Sequence, residues 1–154
     1  MDDLQLIQDI NEKIRLDENI DENFKILIDV NRLKELFNLS CKNGHKETAM
    51  WLYEISKTDG NKKINLNGNN DEAFRLCCRN GHKEMAIWLY ELSKTDDNTK
   101  ININALDDWA FRLSCSNGHK ETAMWLYELS KTIIIIMKPI MKENVFIKSS
   151  KNYH

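Results

Sequence analysis

Cys41 and His45, Cys78 and His82, Cys115 and His119 are three thiol–imidazole pairs at one spacing, in a chain of 154 residues with four cysteines and four histidines. Such pairs suggest two chemistries, a zinc centre or a cysteine nucleophile with its base. Zinc needs ligands about 2.0–2.3 Å from one point. Each pair brackets a glycine (Gly44, Gly81, Gly118), and a glycine turn there sends the two side chains apart. Between pairs, equivalent atoms are separated by roughly the 8–10 Å spacing of packed helices. Such residues make ladders, not a cage. A nucleophile needs a base within hydrogen-bond reach and a third group to orient it. A reaction centre gathers unlike residues once, whereas these recur three times. We expect no catalytic residue, no metal site and no cofactor. Lys46, Lys83 and Lys120 could meet phosphates, but Glu47, Glu84 and Glu121 follow them directly, which makes a solvated mixed-charge face.

The pairs sit inside a longer recurrence. Residues 73–95 and 110–132 differ at four of 23 positions, residues 36–58 differ from the last copy at four, and the glycines lie 37 residues apart. A constant period in the 20–50 range marks stacked repeats. Each copy reads as two helices joined by a sharp turn. The first is expected from about Asp71 to Arg79, with Asp71 capping the free amides of its first turn, and Asp108 one period later. Asn80-Gly81 ends it, because glycine accepts the left-handed conformation at a helix C-terminus. The second is expected from about Lys83 to Ser93, with Glu84 suited to the positive end of its dipole. Ala86, Leu89 and Tyr90 form one stripe, and Ile87, Trp88 and Leu92 widen it into a girdle that needs cover on more than one side. Copies stacked side by side provide that cover. The polar stretches between copies, with Ile101-Asn102-Ile103-Asn104 alternating, read as extended loops or short hairpins.

These residues carry a resemblance. Phe74-Arg75-Leu76-Cys77-Cys78-Arg79-Asn80-Gly81-His82-Lys83-Glu84, followed by Trp88-Leu89-Tyr90 in place of a leucine triplet, resembles the ankyrin repeat, with Cys77 and Cys78 in place of its two small alanines. The Asn-rich loops and the Trp-Leu-Tyr-Glu-Leu-Ser-Lys run resemble the ankyrin-repeat families of giant DNA viruses of the mimivirus kind. The family's period is near 33, so four residues are added here, around Lys94 to Asn98. Its Thr-Pro-Leu-His opening is replaced by Glu72-Ala73-Phe74-Arg75 and Trp109-Ala110-Phe111-Arg112. The resemblance implies an all-α, ankyrin-type helical-hairpin solenoid. The units are expected at 35–71, 72–108 and 109–132 (incomplete), behind a divergent N-terminal cap at 1–34 and ahead of a non-repeat tail at 133–154. In the cap, Leu4, Ile7, Ile10 and Ile14 give a helical stripe and Phe24 to Val30 an apolar cluster.

The resemblance also implies a non-enzymatic protein-binding module, a viral adaptor that engages a host or viral protein through its concave face, using hairpin tips and first helices. Function in a solenoid lies where copies differ. Those positions are Arg75 and Arg112 (Asn38 in the first copy), Arg79, Trp109 (opposite Glu72) and the tip residues Asn70 and Leu106. Trp109 either anchors a partner or packs against the preceding loop.

Composition bounds the alternatives. Hydrophobic residues are 42% and charged residues 30%, the balance of a globular chain. Of the formal charge of −2, residues 133–154 carry +3, leaving −5 on a body poorly suited to polyanions. A nucleic-acid-binding helical repeat is therefore the weaker alternative. A truncated, near-inactive duplicate of a longer repeat protein is the other, suggested by the tail "IIIIMKPIMKENVFIKSSKNYH". Runs of AAT codons (Asn) read one frame over become ATA (Ile), so the tail reads as a frame-shift product. Its isoleucines either cover the third copy or leave it sticky and β-prone. Cysteine exchanges with serine at 40, 77 and 114, which fits packing and not a disulfide plan. With Asp2 and Asp3 unlike a signal peptide and no apolar run near 20 residues, a reducing, intracellular setting such as a host cytoplasm is expected, without a membrane.

Overall fold

The computed structural model describes residues 2–16, 30–58, 64–95 and 100–150, with side chains from 32 in the second segment and to 138 in the last. Among the described residues seven helices follow one another: α1 (Asp3–Arg15), α2 (Val30–Asn43), α3 (Lys46–Thr58), α4 (Gly68–Arg79), α5 (Lys83–Ser93), α6 (Ala105–Ser116) and α7 (Lys120–Ser150). The pairs α2–α3, α4–α5 and α6–α7 are the three copies, and α1 packs on α2 and α3. The fold is an all-α repeat solenoid.

Each first helix ends as the Asn-Gly-His text requires. The His82 amide donates to the Cys77 carbonyl and the Gly81 amide to that of Cys78, the two bonds of a Schellman motif. Gly44, Gly81 and Gly118 have φ of +76, +77 and +77. The second helix of the middle copy spans Lys83–Ser93, the range read from its pattern.

The start of the first helix differs from expectation. Asn69, Asn70 and Asp71, and again Leu106, Asp107 and Asp108, have φ between 52 and 62, so a left-handed turn precedes the regular helix. Asp71 does not cap its own helix. Its Oδ2 accepts the Asn102 amide of the next loop at 3.2 Å. Of the two forms expected for the linkers, the described residues show an extended segment closing in a turn, without strands. Ile64 and Leu66, and Ile101 and Ile103, point inward in alternation. The Ile64 and Ile101 amides reach the buried hydroxyls of Ser56 and Ser93 at the ends of the second helices. The asparagines between them, Asn65 and Asn102, accept amides two residues on, the local turn chemistry of that side chain.

At the N-terminus the buried stripe of α1 is Leu6, Ile7 and Ile10, with Ile14 partly covered and Leu4 exposed. The cluster expected at Phe24 to Val30 lies outside the described side chains. At the other end the isoleucine run is not an extended edge: α7 continues as one helix to Ser150. Ile133 packs on the core, while Ile134, Ile135 and Ile136 are exposed.

Candidate functional site

The thiol and imidazole ladders resolve into contacts between copies. His82 Nε2 donates to the Lys42 carbonyl at 3.0 Å, and its ring lies where a Cβ on Gly44 would sit, 2.6 Å from Nδ1. A carbonyl only accepts, so Nε2 carries the proton. The His119 ring covers Gly81 in the same way, at 2.5 Å. Glycine at these corners is thus required twice, once by φ and once by the ring of the next copy. Each corner touches the next, Gly44 through His82 and Gly81 through His119.

Cys77 Sγ donates to the Cys41 carbonyl at 3.5 Å, and Ser114 Oγ to the Cys78 carbonyl at 2.9 Å. Cysteine and serine exchange at this position because either supplies a small donor to the copy before. Burial pushes the Cys77 and Cys78 thiols well above their ordinary range, which withdraws them from thiolate chemistry. Among the described residues no three of His, Cys, Asp and Glu gather around one point.

A third ladder is aromatic. Trp88 stands against Phe37 and edge-on to Tyr53, with centroids 6.5 and 6.4 Å away. Trp125 repeats this against Phe74 and Tyr90 at 6.2 and 6.3 Å. Tilted and edge-on pairs of this kind add about 0.5–1.5 kcal/mol each beyond the area they bury.

The residues singled out where copies differ fall into two groups. Arg75 donates to the carbonyls of Asn70 (2.7 Å) and Asn69 (2.9 Å), holding the left-handed turn, and its guanidinium lies over the half-buried Trp109 ring at 4.8 Å. Asn38, its counterpart, donates to Glu72 at 3.0 Å, and Glu72 occupies the position that Trp109 holds one copy later. The variable positions thus pair with each other across copies, polar with polar and cation with ring. Trp109 meets Arg75 of the preceding first helix. The second group is free of such ties. Leu106 and Arg112 are exposed, and Arg112 makes no side-chain hydrogen bond among the described residues. Asn70 and Arg79 are also exposed, engaged only through their carbonyls, the latter by Asn117 at 2.8 Å. Leu106, Arg112 and Trp109 share one tip and first helix; Asn70, Arg75 and Arg79 share the one before.

Sequence reasoning missed Asp71. This carboxylate is buried, with one oxygen on Asn102 and the other without a hydrogen-bond partner among the described residues. Burial raises it to about 6, against the pull of the Asn102 amide and the Arg75 charge. The position is Lys34 in the copy before and Asp108 in the copy after, so nothing in the recurrence marks this use of Asp71.

Residues 40–89 match the family model described as ankyrin repeats (many copies). The match begins within α2 and ends within α5, so it spans the junction between the first two copies. No curated protein and no solved structure matches the chain. The third copy lies beyond the matched residues, yet it keeps the Schellman corner, the ring over glycine and the aromatic ladder of the matched segment. No helix among the described residues is long and apolar enough to cross a membrane.

Proposed function

We propose that this chain is a non-enzymatic protein-binding module, a viral adaptor that works in a host cytoplasm and engages a host or viral protein along its concave edge. One observation carries the reading. Cys77, His82, Ser114 and His119 are engaged on the copy before, whereas Leu106 and Arg112 stand exposed on one tip and first helix. Ankyrin repeats are in general protein-interaction modules, which supports the class of partner. The viral setting rests on the resemblance of the repeat text. Arg75 and Trp109 form the firm floor beside that edge, and Asn70 and Arg79 extend it across the previous copy. The acidic body disfavours nucleic acid as the partner.

The test is capture from host lysate with the full chain, beside a Leu106→Asp/Arg112→Glu variant and Trp109→Ala, all checked to melt cooperatively. Proteins retained by the parent and lost with the double variant support the reading. Identical retention by all three sinks it.

A further inference from the structure

The face of copy three that points away from copy two repeats, position for position, a surface whose occupant is already visible twice. On copy one, the surface of Phe37, Tyr53 and Gly44 receives Trp88 and His82, and the Lys42 and Cys41 carbonyls receive the His82 ring and the Cys77 thiol. On copy two, Phe74, Tyr90 and Gly81 receive Trp125 and His119, and the Cys78 carbonyl receives Ser114. On copy three the same positions are Phe111, Tyr127, Gly118, Cys115 and Ser116. There a Cβ on Gly118 would meet nothing within 4 Å, and an open notch of about 390 Å³ runs between Phe111, Gly118, Met124 and Tyr127. Because α7 is one helix from Lys120 to Ser150, its later turns cannot fold back over its own earlier ones.

We infer that this end face is a second docking site, apart from the concave edge. Its occupant is a helical hairpin of another chain that presents an imidazole just before a helix and an indole six residues further on. That is the spacing from His82 to Trp88, the pair that fills the equivalent surface inside the molecule. The indole enters between Phe111 and Tyr127, the imidazole lies on Gly118, and a ring or amide N–H of the same corner reaches the Ser116 carbonyl, as His82 and Asn117 do on the two copies before. A small hydroxyl or thiol donor on the partner's other helix reaches Cys115. A second copy of this chain does not fit as well. Its His82–Trp88 and His119–Trp125 pairs are already seated on their own neighbours, Trp51 of the remaining pair packs against the core, and the exposed apolar residues in and after α1, Leu4 and Leu16, include no ring.

The experiment titrates the intact chain into a labelled peptide of residues 74–95, which carries both rings at the required spacing. Saturable binding is expected, weakened about tenfold or more when the peptide's Trp88 becomes alanine, a change worth about 1.4 kcal/mol. Tyr127→Lys in the intact chain should abolish it. Tyr127 and Met124 are 53% and 58% exposed, so neither lysine variant burdens folding, and Met124→Lys tests the notch from its other wall. Binding that ignores the peptide's indole or both face variants overturns the inference, as does no saturation at all. Sedimentation that finds a dimer dissolved by Tyr127→Lys also overturns it, by giving the face to a second copy.

Discussion

Cys41, Cys78 and Cys115 hold one position in three near-identical copies, yet the first two are buried and the third is exposed. The same divide runs through the whole surface. Tyr53 is buried and Tyr127 largely exposed; Ser56 and Ser93 receive the amides of following linkers, while Ser130 bonds only the Tyr127 carbonyl of its own helix. Asp71 is buried under Asn102, and Asp108 is exposed. Identical text thus reaches two physical states, and the difference is the neighbour. In a stack, burial belongs to the interface and not to the residue, which is why stability in such molecules divides into intrinsic and nearest-neighbour contributions.

The glycine corners put the largest effect on that comparison. Alanine at either Gly81 or Gly118 must adopt φ near +77, at a cost of about 1–2 kcal/mol. Only at Gly81 does its Cβ also collide with a ring, His119 at 2.5 Å, which adds overpacking of about 1–3 kcal/mol. Urea unfolding should therefore separate Gly81→Ala from Gly118→Ala by at least the smaller of those amounts, and Gly81→Val should be worse than either. Equal midpoints for the two alanine variants would mean that the covered and open corners do not differ.

The aromatic ladder gives the next. Trp88→Ala removes a ring packed on Phe37 and Tyr53 and should cost about 3 kcal/mol. Tyr127→Ala removes a ring that no following tryptophan touches and should fall within about 0.5 kcal/mol of the parent. A Tyr127 variant as damaging as the Trp88 variant would show that the third copy is covered after all.

Asp71 makes the comparison depend on pH. Its carboxyl is raised from 3.8 to about 6 by burial, so the folded state holds a proton that the unfolded chain releases. The contribution of this group is then fully present below about pH 4 and lost as pH rises through about 6. Asp71→Asn keeps an oxygen for the Asn102 amide and removes the buried charge. It should stabilise the protein by about 1–2 kcal/mol at pH 8, with the gain shrinking below pH 6 and absent near pH 4. Asp108→Asn, exposed and with no linker amide on it, should change stability by less than about 0.5 kcal/mol at either pH. A pH-independent Asp71→Asn effect would leave the carboxyl ionised and unburdened.

What was legible in the text follows from how local each signal is. The 37-residue recurrence, the Lys83–Ser93 helix and the Asn-Gly-His corner are written in contiguous residues, and they stand as read. The histidine's use on the preceding turn needed the stacking geometry, since Gly44 and His82 are far apart in sequence. The candidate edge was half legible. Difference between copies did mark Arg75, Trp109 and Glu72, but Asn38–Glu72 and Arg75–Trp109 differ because they touch one another, a cause that mimics a binding surface. Asp71 misled because aspartate before a helix is read as a cap. The left-handed turn aims it instead at the next linker, and nothing in the local sequence distinguishes the two uses.

That turn supplies the smallest prediction and the one closest to function. Both copies place three residues in succession at positive φ, but one uses Asn69-Asn70-Asp71 and the other Leu106-Asp107-Asp108. Asparagine visits this region with its side chain bonded locally, and Asn69 Nδ2 does reach Glu72 at 2.9 Å. Leucine has no such compensation, and at 49% exposure Leu106 gains little from packing. Leu106→Asn should then stabilise the chain by about 0.5–1 kcal/mol, a rise of a few degrees in melting temperature for a domain of this size. The same substitution should weaken capture of a partner at the concave edge, because strain retained in an exposed apolar side chain is the trade expected of a contact residue. Gain in stability together with loss of binding would mark Leu106 as kept for recognition. Gain without loss would move the edge to Arg112 and away from the tip.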